Sequence, residues 1–274
     1  MGEEITIVEP TRGWKSLRLK ELWAHRDLLI HLIRRDMTSR YMHTFGGFLW
    51  VALQPILTTI IYSIIFGFLV KVPSEGLPYA AFYFSAYVPW LLFSGTVTSV
   101  AASLVNNSNL FTKVYFPRLI IPLSTIAIPL MDYLFFLGIL LLLTLSYGFL
   151  PTLRIFILPL FSLIALMGGV GVGLWFAAFN VYYRDAGIFL NNLLMIWTFA
   201  TPIFYPSSLV PKRLFTLYAL NPMMNVADGF RWALLDSKAP MWGMVSVSAI
   251  IALGLLTSGL YFVQRTERNF ADVV

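Results

Sequence analysis

Cysteine is absent from the 274 residues, which excludes a disulfide framework, a thiolate metal site and a cysteine nucleophile. Charge is scarce too: Asp, Glu, Lys and Arg make up 12% of the chain, against roughly 25% in an ordinary soluble domain. The only histidines, His25, His31 and His43, lie near the N-terminus with no carboxylate-rich motif beside them, so no metal site is expected. No GxxxxGK[ST] loop occurs; the one Lys followed by Ser, Lys15, comes after "TRGW" rather than a glycine-rich turn, so ATP binding in the P-loop manner is excluded. GxSxG, HExxH and paired carboxylates within one soluble segment are missing as well, and the chain by itself is not expected to be an enzyme.

What fills the chain is apolar: 58% hydrophobic residues, 16% aromatics and a mean hydropathy of +0.77. A water-soluble globule of this length cannot cover so much apolar side chain, whereas aromatics suit a bilayer interface. A spanning helix needs about 20 mostly apolar residues, and six stretches qualify, near 47–70, 80–104, 119–147, 155–181, 186–205 and 241–263. Asp132 is the one acid inside them, and an acid at that depth normally faces a bundle interior. A structural hydrogen bond is the favoured reading for it over a proton relay, which would need intramembrane partners. The chain opens polar and acidic, "MGEEIT", without the apolar core of a secretory signal, so the first forty residues are expected to remain in the mature protein.

Six spans put both termini on one side, and basic residues choose the side. Thirteen Lys and Arg fall with the N-terminal segment, the loops after the second and fourth spans and the C-terminal tail; six fall on the other face. Both termini are therefore expected in the cytoplasm, and the net charge of +6 reads as topology rather than nucleic-acid binding.

The expected architecture is all-α and polytopic. Residues 1–44 form a cytoplasmic N-terminal segment, 45–264 the six-span domain and 265–274 a cytoplasmic tail. Within "LRLKELWAHRDLLIHLIRRDMTSRYM" (18–43), Leu19, Leu22, Leu29, Ile33 and Met37 recur at helical spacing with Trp23 and Ile30 on the flank, an amphipathic helix suited to the membrane interface. Arg34 and Arg35 there are candidates for the head group of a charged lipid. Residues 206–238 are too polar to span and too aromatic for a free loop; two short amphipathic pieces, 212–219 and 222–235, break at Asn221-Pro222. Dipping into the outer half of the membrane and returning suits them, with Asp228 and Arg231 able to pair at i, i+3.

Ordered motifs resemble the membrane subunits of type-2 ABC exporters, in the branch that exports bacterial polysaccharides such as O-antigen, capsule and teichoic acid. "SRYMHTFGGFLWVALQP" (39–55) is similar to that family's approach to the first span, although Gly46 and Phe48 stand where Leu and Pro are expected. "NLFTKVYFPRLIIP" (109–122) is the most specific block, and "NVYYRD" (180–185) and "LNPM" (220–223) follow in order.

The resemblance implies a coupling helix at about 107–117 that docks on a separate ATP-hydrolysing subunit. Asn109, Phe111, Lys113, Tyr115, Phe116 and Arg118 would form the contact, with Arg184 and Asp185 as a second contact or latch. It also implies re-entrant gate helices at 206–238, with Asn221, Pro222, Asp228 and Arg231 as gate residues. Two copies would form a pore above two ATPase subunits that hold ATP and Mg; no cofactor is expected in this chain. The substrate would be a lipid-linked glycan sliding over aromatic faces, for which Tyr62, Tyr83, Tyr87, Trp90, Trp197, Phe204 and Tyr205 are candidates. An exporter of drugs or lipids, and an ATPase-independent channel or scaffold, are the other readings.

Overall fold

The computed structural model describes residues 23–42, 47–108, 116–183, 185–211, 213–214, 218 and 220–266. Most of those residues are helical, and no strand occurs among them. In chain order the helices are α1 (Arg26–Tyr41), α2 (Gly47–Tyr62), α3 (Tyr79–Asn106), α4 (Ile120–Thr125), α5 (Ala127–Ser146), α6 (Leu158–Tyr182), α7 (Ala186–Ala200), α8 (Pro222–Leu235) and α9 (Trp242–Thr266). A π-helical turn, Ser63–Leu69, prolongs α2, and a 3₁₀ turn, Leu153–Ile157, leads into α6.

Five helical stretches are long and apolar enough to cross a membrane: Leu49–Leu69, Tyr79–Asn106, Ile120–Ser146, Leu153–Tyr182 and Trp242–Thr266. The third joins α4 to α5 across Ile126, whose backbone stays in the helical region. The stretch expected as a sixth span is shorter. α7 has 15 residues, about 22 Å of rise against a core about 30 Å thick. Pro202 is the cause, because the ring disfavours helical geometry in the residue before it, and Thr201 accordingly turns extended at φ −102°, ψ 142°.

α3 runs through the middle, with residues from Ala81 to Leu104 buried along it. α6 lies against one side of α3, and α9 lies on the far side of α6. Glycines make both approaches possible. A Cβ on Gly169 would sit 2.9 Å from the Phe93 carbonyl oxygen, and one on Gly173 2.7 Å from Val100 Cβ, so these two face α3. A Cβ on Gly171 would sit 2.4 Å from the Leu255 carbonyl carbon of α9, and one on Gly259 2.6 Å from the Gly171 oxygen. Small residues that let helix backbones close are the membrane solution to packing without a hydrophobic drive between helices.

Peripheral helices turn apolar side chains outward, with Leu57, Ile60, Ile61 and Ile64 on α2 and Ile188, Met195 and Ile196 on α7 all exposed. Pro55 interrupts α2 by removing one backbone donor. Hydroxyls there satisfy carbonyls one turn back: Thr58 donates to Gln54 at 2.6 Å and Thr59 to Pro55 at 2.7 Å.

The buried side of α1 differs from the stripe its spacing suggests. Leu32 is its buried residue, flanked by Leu28 and Leu29, and all three pack on Phe116, Ile120 and Ile121. Trp23 and Ile30 stay exposed. Periodicity gives two adjacent apolar strips here, and the neighbouring α4 selects the one through Leu32.

Candidate functional site

At the end of the bundle that carries residues 107–120, three elements meet. Asn107 caps the C-terminus of α3, residues 116–119 lead into α4, and α1 lies across both. Phe116 is buried against Leu32. On the other side of the same loop the Arg35 guanidinium donates to the Asn107 side chain at 2.9 Å and to Asp36 at 2.8 Å. Arg34 is exposed. Of the expected coupling residues, Asn109, Phe111, Lys113 and Tyr115 lie outside the described residues, as does Arg184. Arg118 is half-buried, and Asp185 is exposed at the start of α7, where its carbonyl accepts from Phe189 at 3.0 Å.

Asp132, near the start of α5, has the structural partners its position requires. Arg40 donates to one carboxylate oxygen at 2.7 Å and the Tyr41 hydroxyl to the other at 2.6 Å. Burial, and after it the hydrogen bond to Asp132, hold the Tyr41 phenol far above its ordinary range, so it stays protonated and donates.

The aromatic candidates fall into connected groups. Tyr62 meets Phe204 edge-on at 5.0 Å and Tyr83 at 5.5 Å, while Tyr83 stacks on Tyr87 at 5.0 Å. Trp90 and Trp197 lie 6.5 Å apart and share Phe93, which is 5.1 Å from Trp197. Tyr205 bonds the Tyr218 hydroxyl at 2.8 Å; burial, then this bond, push the Tyr218 phenol upward. Tyr83, Trp90 and Phe204 are buried inside a single copy, 5% exposed or less. Phe66, Phe93 and Phe199 join these groups without having been anticipated; nothing but their aromatic character marks them in the sequence.

At the opposite end of α3, α8 is held by two polar residues. Asn221 is its N-cap: the side-chain oxygen accepts from the Met223 amide at 3.1 Å and from Trp197 Nε1 at 3.0 Å, while Nδ2 donates to Thr201 at 3.0 Å. Pro222 follows at the first helical position, where a missing donor costs nothing. Of the first amphipathic piece, 212–219, residues 213, 214 and 218 are described and the others lie outside the described residues. Arg231 is 3% exposed and its fork is fully engaged. It donates to the Phe82 carbonyl at 3.2 Å and the Ile203 carbonyl at 3.0 Å, pairs with Asp228 at 3.4 Å and lies 3.6 Å over the Phe82 ring. At the far end of α8, Asp236 takes a left-handed conformation, φ 54°, and pairs with Arg154.

The sequence of the chain is similar to those of known transport proteins. Residues 27–235 match the family model for the ABC-2 type transporter. The chain is 30% identical over 258 residues to the O-antigen export system permease protein RfbA of Myxococcus xanthus, covering 93% of this chain and 98% of that protein. It is 25% identical over 249 residues to the RfbA of Klebsiella pneumoniae, covering 90% of this chain and 95% of that one. It is also 24% identical over 242 residues to the polysialic acid transport protein KpsM of Escherichia coli, covering 86% and 92%. With three quarters of the chain inside the family model and near full-length relatives on both sides, the chain belongs to the membrane components of ABC-2 type transporters.

Proposed function

We propose that this chain is the permease subunit of an ATP-driven exporter that moves a lipid-linked polysaccharide, O-antigen being the best-supported class, across a bacterial inner membrane. The observation that carries the reading is the near full-length similarity to an O-antigen export permease at 30% identity. The more distant similarity to capsule-type transporters favours capsule as a second substrate class over teichoic acid, other lipids or drugs. Two copies form the path and two separate ATPase subunits, holding ATP and Mg, drive it. Both termini lie in the cytoplasm, with α7 and the turn at 201–206 making the sixth crossing and α8 belonging to a re-entrant outer gate. Residues 107–117 dock on the ATPase through Phe111 and Tyr115, the kind of aromatic anchors that carry small interfaces; Phe116, expected to join them, is instead turned inward against Leu32.

The test removes the chain from its own cells. Loss of surface glycan with accumulation of lipid-linked glycan inside is expected, and affinity capture of the wild-type chain in mild detergent should retain a P-loop ATPase that a Phe111→Ala, Tyr115→Ala double variant loses. Capture of no ATPase at any detergent strength would leave a channel or scaffold in place of the exporter.

A further inference from the structure

Three of the contacts that α1 makes with the rest of the chain are informative in their order along the helix. Leu32 packs on Phe116, which follows residues 109–115 in sequence. Arg35 bonds Asn107, which precedes them. Arg40 and Tyr41, on the last turn, grip Asp132 of α5. From Leu32 to Arg40 is about 12 Å of continuous helix, with no Pro or Gly to bend it. One short rod therefore holds the residues that flank 109–115 in sequence and, at its own end, an acid of α5.

The contacts also differ in kind. The one to α5 is a carboxylate bonded through both oxygens, which sets direction as well as distance; Arg40 also lies 5.9 Å from the Tyr41 ring centre, so the two donors are arranged together. An acid in an apolar span is costly to insert, and helix packing alone asks for no such group at this position. An amphipathic anchor would present its apolar side to lipid and would need no ionic contact with a span.

We infer that α1 is a transmission strut, with Arg40, Tyr41 and Asp132 as positioning residues that convert displacement of the 107–117 loop into movement of α5. The inference rests on the reading of that loop as the coupling element. It gives the chain a route from the ATPase to α5 that runs outside α3, through a helix read from sequence as a surface anchor.

The test uses the assembled exporter with its ATPase, and reads three quantities for each variant: ATPase retained on capture, ATP hydrolysis, and glycan exported per ATP hydrolysed. Asp132→Asn keeps the shape of the side chain and removes its charge. It should retain the ATPase and hydrolyse ATP within about twofold of wild type while exporting at least tenfold less per ATP. The exchanged pair, Arg40→Asp with Asp132→Arg, should recover at least a third of the wild-type ratio. Wild-type export by Asp132→Asn overturns the inference. So does loss of the ATPase from it, which would make the pair an assembly element, and so does an inactive exchanged pair, which would give the carboxylate a role apart from Arg40. A wild-type complex that shows no ATP-dependent export sinks the exporter reading itself, before any variant is compared.

Discussion

Gly171→Ala adds one methyl group where α6 meets the backbone of α9. The new Cβ would stand 2.4 Å from the Leu255 carbonyl carbon, 2.5 Å from the Leu256 nitrogen and 2.7 Å from the Leu255 oxygen. Ordinary contact between carbons begins near 3.5 Å, so α9 must retreat by about 1 Å, and no side-chain rotation relieves a clash with main chain. Such a gap forfeits a quarter to a half of each dispersion contact along the crossing. It also stretches the Trp175 to Ser258 hydrogen bond, now 3.1 Å, past useful length, and loosens the stack of Trp175 on Phe262 at 4.2 Å. Overpacking of about 1–3 kcal/mol and a lost hydrogen bond of about 1 kcal/mol outweigh the gain in helix propensity, at most about 1 kcal/mol. Gly254→Ala on the same α9 is the control, since its Cβ meets nothing within 4 Å and keeps the propensity gain alone. Because the propensity gain is common to both variants, they should differ by the overpacking and hydrogen-bond terms, roughly 2–4 kcal/mol, with Gly254→Ala the more stable. Thermal unfolding in one detergent, followed by the monodisperse peak on gel filtration, orders them. If Gly171→Ala melts at or above Gly254→Ala, the close crossing does not exist as described.

Arg231→Ala strands Asp228 and two carbonyls and should cost about 3–5 kcal/mol, the range for breaking a buried pair; Arg231→Lys, a point charge in place of a fork, should recover only part of it, measured by the same melts. Asn221→Ala loses the N-cap and the bonds to Trp197 and Thr201, worth about 2–3 kcal/mol together, and frees Trp197, so its emission should shift against a Trp197→Phe background. The raised Tyr41 phenol makes its stabilisation complete below the ordinary tyrosine value of about 10 and lost as pH climbs above it, so Tyr41→Phe should flatten the alkaline side of the stability profile. Because the chain has no cysteine, single cysteines report topology directly: Glu75→Cys and Ser237→Cys should react with an impermeant thiol reagent in intact cells, and Asp185→Cys only after the inner membrane is opened; the reverse pattern inverts the topology.

Local chemistry made α8 legible to the residue. Asn221 followed by Pro222 announces an N-cap with proline at the first position, and the helix runs to Leu235 as the apolar spacing suggests. The i, i+3 pairing of Asp228 with Arg231 was legible for the same reason. Its burial against Phe82 and Ile203 was not, because those carbonyls lie 149 and 28 residues away in sequence. Asp132 is similar: an acid in a span demands a partner, but Arg40 is 92 residues distant and no local pattern names it. Thr201-Pro202 lies inside the stretch 186–205 expected as a span and acts as a stop, since beyond it the Ile203 carbonyl is drawn to Arg231 instead of continuing a helix. The glycines of "GGVGVG" carried a signal that hydropathy hides: they count as apolar, and only their missing side chains reveal that α6 is clasped from two sides.

The charges of the interior also bear on where a driving force enters. Among the described residues, the carboxylates set within the bundle are Asp132, neutralised by Arg40, and Asp228, paired with Arg231. They sit at opposite ends. Arg231 holds Phe82 near the start of α3, whereas Asp132 belongs to the end where α3 finishes at Asn106, and the helix between them rises about 36 Å. Four hydroxyls along that length are turned back on their own helices: Ser94 to Trp90 at 2.8 Å, Thr98 to Ser94 at 3.0 Å, Ser103 to Val100 at 2.6 Å, Ser162 to Leu158 at 2.8 Å. That arrangement satisfies polar atoms inside an apolar medium, and it leaves those donors committed rather than available to pass a proton. A relay across α3 would need acidic or basic side chains between the two ends, and the described residues place no Asp, Glu, His, Lys or Arg there. Movement delivered at the 107–120 end, where the loop, α1 and α5 are tied together, needs no such relay.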